Sequence, residues 1–348
     1  MTPVEMDGEN SDDVNRFERE TTACVEDRVL FDGFVEVDDE FKREIIKKLR
    51  EKAGGMFLWA ELQIKILCRL KRMTLSQIEA RLDKLPPNSA SAYDTIYDMI
   101  ETEPDEDDPV NAKNALRWVM CSDRPLSPET WSHAVWLASG VQTKRKGFEN
   151  HGGLQKFPNP PASYEPTIID AEYPRRICHN LVGIDSKRNV VQLIHLSVRE
   201  FLEKKPEFTE TPPHAVAAET CLSVLCRASP EYMKGPATAC VNEHGLRHLL
   251  HAPNRSKRIL SLQRSFFRPS LAFNTWLQTA MVHDKELCMG IDPLFVAASY
   301  GLAQVCQDLL DDDPKRSSRA INVHGRTAPH AAAQLNHCDV IDILLKFS

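Results

Sequence analysis

The sequence predicts a mainly α chain, and three observations carry that expectation. Apolar residues recur at helical spacing through most of residues 41–138. The clearest β-prone runs are two short segments on either side of a polar turn at 185–189. The final stretch, 291–348, repeats a helix-like unit at an offset of 35 residues.

Residues 1–37 are acidic, with Asp7, Glu9, Asp12, Asp13, Glu18 and Glu20 near the start, and a mostly disordered segment is expected there. From residue 38 to 105 a helical segment follows. Phe41, Ile45, Ile46 and Leu49 mark one face of its first helix, and Gly54-Gly55 ends it. Residues 56–70 are apolar on more than one side, including Phe57, Leu58, Trp59 and Leu62, which calls for a central, buried helix. Thr74 and Gln77 are spaced as a capping box for a helix that Pro86-Pro87 stops, and Tyr93, Ile96, Tyr97 and Ile100 stripe the next one.

Residues 106–205 have the order of a winged helix, in which helices are followed by a β-hairpin. Asp108 is placed as N-cap before Pro109, opening a helix over 110–121, and Ser127-Pro128 repeats the device for a helix with Trp131, Ala134, Val135 and Ala138 on one face. Apolar residues thin out over 140–166, where a flexible insertion is expected. Segments 181–184 and 190–196 then flank D-S-K-R-N as a hairpin. Residues 206–290 form a helical linker. In the last region P-L-F-V-A-A at 293–298 aligns with A-P-H-A-A-A at 328–333, and Leu309-Leu310 with Leu344-Leu345, close to the ankyrin period of about 33 residues.

The joint at 190–202, V-V-Q-L-I-H-L-S-V-R-E-F-L, passes directly from strand to helix. Ser197 and Glu200 are spaced as a capping box, and Leu196 and Phe201 as a hydrophobic staple. Ser197 is thereby assigned to architecture. His195, two residues earlier, is expected to be a packed, hydrogen-bonded histidine at the domain seam, since alternate strand-end residues do not point together by default and no G-x-S-x-G elbow occurs.

Charge and composition exclude several functions. A net charge of −7 gives no general attraction to nucleic acid, and residues 127–140, the recognition-helix position, hold no Lys or Arg, leaving Lys187 and Arg188 at the wing tip. No nucleic acid is expected as partner. The longest uncharged runs fall short of the ~20 apolar residues of a membrane span, so a cytoplasmic protein without a span is expected. The 10 cysteines include no C-x-x-C pair, which removes zinc-ribbon and thioredoxin-like sites. Cys240, His244, His248 and His251 share one helix face, but four ligands strung over about 16 Å of one helix cannot close on one ion. No metal, cofactor or catalytic residue is therefore expected.

Three pieces resemble the region C-terminal to the nucleotide-binding core of fungal NACHT and ankyrin-repeat proteins, the NLR-like (STAND) signalling ATPases. They are G-G-M-F-L-W-A-E-L at 54–62, with Trp59; L-R-W-V-M-C-S-D-R-P-L-S at 116–127, with Trp118; and V-Q-L-I-H-L-S-V-R-E-F-L at 191–202, with His195, Ser197, Glu200 and Phe201. The resemblance implies a winged-helix domain like that of GPI inositol-deacylase-type proteins, spanning the second and third pieces. G-R-T-A-P-H at 325–330 is similar to the ankyrin signature G-x-T-P-L-H, matching at Thr327 and His330 with the proline displaced by one position. The family's Walker A loop is missing, because none of the 14 glycines is followed by Lys. What the resemblance implies is a truncated member without its own ATPase: a non-catalytic regulatory chain whose ankyrin repeats bind a protein partner. The rival expectations are a subunit that hydrolyses nucleotide or a lipid ester through an unrecognised site, and a winged-helix DNA binder.

Overall fold

A computed structural model describes residues 89–148, 172–227, 239–252, 255–268, 271–283, 292–316, 320–322 and 324–347, with isolated positions between 40 and 83. Trp59, the expected helix over 56–70, the Thr74 cap and the acidic segment 1–37 lie outside the described residues, as does the expected insertion beyond residue 148. The chain divides into two compact units, Met1–Asp105 and Glu106–Ser348.

In the first unit, helix α1 (Ser89–Glu101) buries Ala92, Tyr93, Ile96, Tyr97 and Ile100. That spacing of three and four residues is the apolar stripe expected of an amphipathic helix. Ile45 and Leu49 are buried on the same principle, while Lys48 turns outward to Glu44 and Asp83, each 3.5 Å away.

The second unit is mainly helical, with one two-stranded antiparallel hairpin among the described residues. Its first pair is α2 (Asp108–Cys121) and α3 (Pro128–Phe148), packed against each other, with α4 (Glu172–Ile177) on α2. The Ser127 hydroxyl accepts from the Thr130 amide at 3.1 Å and caps α3 as expected. Asp108 does not cap α2. The N-cap is Asp107 without a side-chain bond, and the Asp108 carboxylate instead accepts from the Tyr173 hydroxyl of α4 at 2.5 Å. A tertiary hydrogen bond has taken the side chain from its local one. Helix α3 also continues to Phe148, into the stretch expected as an insertion. Gln142, Lys144, Arg145 and Lys146 carry good helix propensity without an apolar stripe, so propensity extends the helix where periodicity is silent.

Strands β1 (Val182–Asp185) and β2 (Val190–Leu193) pair with Val182 opposite Leu193 and Asp185 opposite Val190. Asp185 closes the turn by accepting from the amides of Lys187 and Arg188 at 2.9 and 3.1 Å, and Asn189 takes the left-handed position at φ 52°. The other edge of β2 is tied to the loop before α3, where the Val191 amide donates to the Leu126 carbonyl at 2.9 Å.

Short helices α5 (Leu196–Leu202) and α6 (Pro206–Thr209) lead into α7 (Pro213–Leu225), which is buried without a break from Val216 to Leu225. Around it pack α2, α3, α8 (Ala239–His251), α9 (Lys257–Phe267) and α10 (Leu271–His283). Gly245 of α8 lets that helix come close to α7, since a Cβ there would stand 3.1 Å from Cys221 Cβ of α7. Phe266, Phe267, Phe273 and Trp276 form an aromatic cluster with ring centroids 5.1–6.1 Å apart, and Tyr300 joins it from the repeat region.

The repeat region is two helix–turn–helix units, α11 (Pro293–Ser299) with α12 (Ala303–Asp312), and α13 (Ala328–Gln334) with α14 (Cys338–Leu345). Helix α11 packs on α13 and α12 on α14. Corresponding elements start 35 residues apart, and the inter-helix turns place Gly301 and Asn336 at φ 66° and 59°. Gly301 is confined further: a Cβ there would fall 2.6 Å from the His337 ring, which sits in the turn of the following unit and faces the Ser299 carbonyl at 3.2 Å.

Glu219 is the one charged residue among the buried positions of α7, and it accepts from Arg258 of α9 at 2.9 Å. Glu219→Ala should lower the unfolding free energy by about 1–3 kcal/mol, the buried-pair cost reduced because Arg258 is partly solvated. Denaturant titration measures this; a change under about 0.5 kcal/mol, typical of a surface position, would show that the pair is not formed.

Candidate functional site

The described residues place the expected site residues in three separate neighbourhoods. The first is the joint between β2 and α5. Strand β2 stops at Leu193, the Ile194 amide donates to the Leu181 carbonyl, and His195 is extended at φ −158° and ψ 155°. Helix α5 then starts at Leu196 with His195 as its N-cap. The His195 Nδ1 accepts from the Ser197 amide at 3.1 Å and lies 2.8 Å from the Ser197 hydroxyl. This corrects the expectation that Ser197 and Glu200 form the capping box. An imidazole lone pair does here what a Ser or Asp oxygen usually does, and Glu200 is left exposed on the helix. Of the two residues expected as a staple, Leu196 is 65% exposed, and Phe201 lies beneath the Lys205 ammonium at 4.7 Å from its ring centroid.

His195 is thus exposed rather than packed at a seam, and it points at Ser197, contrary to expectation. His195 borders a cleft of about 350 Å³ whose walls include Leu126, Trp131, Val191, Leu193 and Arg199, while Ser197 is not among its lining residues. Arg199 is fixed by donating to the Met120 carbonyl at 2.9 Å. A Ser–His contact is one element of nucleophilic catalysis, but the base also needs an orienting partner. Among the described residues His195 has no carboxylate bound to it, and its Nδ1 already serves the helix end.

The second neighbourhood is the start of α13. His330 Nδ1 accepts from the Thr327 amide at 3.3 Å and lies 2.7 Å from the Thr327 hydroxyl, so the two residues close a capping box. The chain reaches this point through a tight turn in which Asn322 accepts from the amides of His324 and Arg326, with Gly325 at φ 74°. Its counterpart in the first unit is Asp292, which accepts from the Leu294 amide at 2.7 Å and pairs with Arg316 at 3.1 Å. Three large apolar residues of this region are exposed among the described residues: Ile321 (48%), Leu335 (39%) and Leu345 (62%).

The third surrounds Trp118, which is fully buried in α2 with the edge of its ring system against His248 of α8, centroids 5.4 Å apart. Beside this pair stand His214 of α7 and Cys121 of α2. The sequence pattern groups His248 only with residues of its own helix. Helix α8 does run through Gly245, yet His248 meets groups from two other helices, which no local spacing reveals.

Comparison of the chain with family models, with curated proteins and with solved structures finds no match in any of the three.

The cap assignment separates two substitutions. His195→Ala should cost about 1 kcal/mol of stability, whereas Ser197→Ala, which keeps the amide that His195 accepts from, should cost less than half of that. Paired denaturation curves check the order; the reverse order would return the cap to Ser197.

Proposed function

We propose that this chain is a non-catalytic regulatory and protein-binding piece of the fungal NLR-like type, with a winged helix at about 106–205 and ankyrin-type repeats at 291–348. The observation that carries the proposal is the tandem unit: two stacked helix–turn–helix pairs offset by 35 residues, with a left-handed residue at the same point of each turn. Such units bury their faces only by stacking on a neighbour. In the first unit Leu310 is fully covered, while its counterpart in the second, Leu345, is 62% exposed. A further repeat or a protein partner fits that exposed apolar edge. The α2–α3–hairpin order supports the winged helix, with β2 bonded to the loop that precedes α3.

A second reading has one observation in its favour. The Ser197 hydroxyl lies 2.8 Å from His195, which lines a partly apolar cleft, and a Ser–His contact beside such a cleft is the starting point for hydrolysis of a lipid ester. Against it stands the use of the same Nδ1 in capping. The nucleic-acid reading is weaker, since residues 127–140, at the recognition-helix position, bring no Lys or Arg to a phosphate backbone. No helix among the described residues is long and apolar enough to cross a membrane.

Calorimetric titration with Mg-ATP, together with an assay on short-chain esters, tests the non-catalytic reading: neither saturable heat nor turnover is expected. Turnover lost in both His195→Ala and Ser197→Ala would replace it with the hydrolase. For the binding edge, Leu345→Glu should change stability by less than about 0.5 kcal/mol, because the side chain is already in water; a larger loss would mean that the edge is packed within the chain.

A further inference from the structure

Three side chains with metal-ligand chemistry meet where α2, α7 and α8 come together. The Cys121 sulfur and one ring nitrogen from each of His214 and His248 all lie within 4.8 Å of one another. The Nδ1 atoms of the two histidines are 3.1 Å apart. Cys121 and His248 are buried, and His214 is half-buried. Cys121 is not disulfide-bonded. We propose that Cys121, His214 and His248 bind a zinc ion that ties these three helices together.

Geometry and donor type both favour this assignment. Two ring nitrogens each about 2.0–2.1 Å from a tetrahedral zinc stand roughly 3.3 Å apart, and a thiolate at about 2.3 Å stands roughly 3.6 Å from each of them. The imidazole spacing is already close to that figure, and a movement of about 1 Å by the Cys121 side chain brings the sulfur in. One thiolate with two imidazoles is a borderline donor set suited to zinc and poorly suited to calcium or magnesium. Unlike ligands strung along a single helix, these come from three directions and can surround an ion. Solvent reaches the half-buried His214 side, so water completes four coordination there.

The surroundings keep the imidazoles in the form a metal needs. Burial first, and then the neighbouring His214, His244 and His251, push His248 down to about 3, so its ring is neutral at physiological pH. His214 is lowered as well, by burial first and then by His251, with Arg199 acting in the same direction and Asp123 against it. Trp118 packs against His248, and the ring of His251 lies 5.1 Å from that of His214. On binding, the Cys121 thiol loses its proton to solvent and forms the Zn–S bond. The contact between the two Nδ1 atoms is replaced by two Zn–N bonds, with each ring carrying its proton on Nε2.

The full chain, stripped with chelator and titrated with Zn²⁺ alone, should bind one equivalent at submicromolar Kd with release of a proton. Co²⁺ in its place should give a thiolate-to-metal charge-transfer band in the near ultraviolet and the visible bands of tetrahedral cobalt. Cys121→Ser should remove the charge-transfer band and weaken binding by about a hundredfold, while His244→Ala, on α8 but outside the three, should change neither. Binding that survives Cys121→Ser and is lost in His244→Ala would overturn the proposal. Should Cys121→Ser not fold, the unmodified chain decides: cobalt bound without a charge-transfer band, or no stoichiometric binding, overturns it equally.

Discussion

The burial of α7 is the constraint on which the second unit depends. From Val216 to Leu225 every residue is buried, so no face of the helix can be given to water and neighbours must enclose it. Enclosure of each of its large apolar side chains is worth about 1.5–3 kcal/mol, an amount no single surface interaction approaches. Of its polar residues, Thr220 donates to the Val216 carbonyl at 2.8 Å and Glu219 takes its cation from α9, while the buried Ser223 hydroxyl has no partner among the described residues. The linker expected at 206–290 is therefore part of the core: α2, α3, α8, α9 and α10 all pack on α7.

That arrangement gives the joint at 190–202 a more limited role than its sequence suggests. His195 fixes the start of α5 and Arg199 fastens the same helix to the Met120 carbonyl at the end of α2. Arg117 does the same for the next short helix, donating to the Glu207 carbonyl at 3.0 Å with its guanidinium over the Phe208 ring. The path from hairpin to α7 is thus held at two successive points by arginine-to-carbonyl bonds. On the far side, the aromatic cluster around Phe266 and Trp276 reaches Tyr300, so the repeats are anchored on the helices that enclose α7.

Where apolar spacing is regular, the sequence discloses the structure: the Tyr93–Ile100 stripe, the Trp131–Ala138 face, the hairpin with its D-S-K-R-N turn and the 35-residue offset all appear in the described residues. The differences arise where a side chain has two possible partners. Asp108 could cap or meet Tyr173, and the tertiary bond prevails. Ser197 could cap or be capped, and the strand's end at Leu193 makes His195 the residue in position to accept. The cysteine–histidine cluster was illegible for another reason. Its members stand at 121, 214 and 248, and only the packing of α2 and α8 on α7 brings them together.

Hydrogen exchange followed by mass spectrometry tests most directly the claim that α7 organises the second unit. Peptides from 216–225 should exchange in the slowest class, together with those of α2 and α8, at a rate set by global unfolding. Exchange in α7 that precedes exchange in α2 and α8 would contradict the account, since a helix enclosed on all sides cannot open before the helices around it.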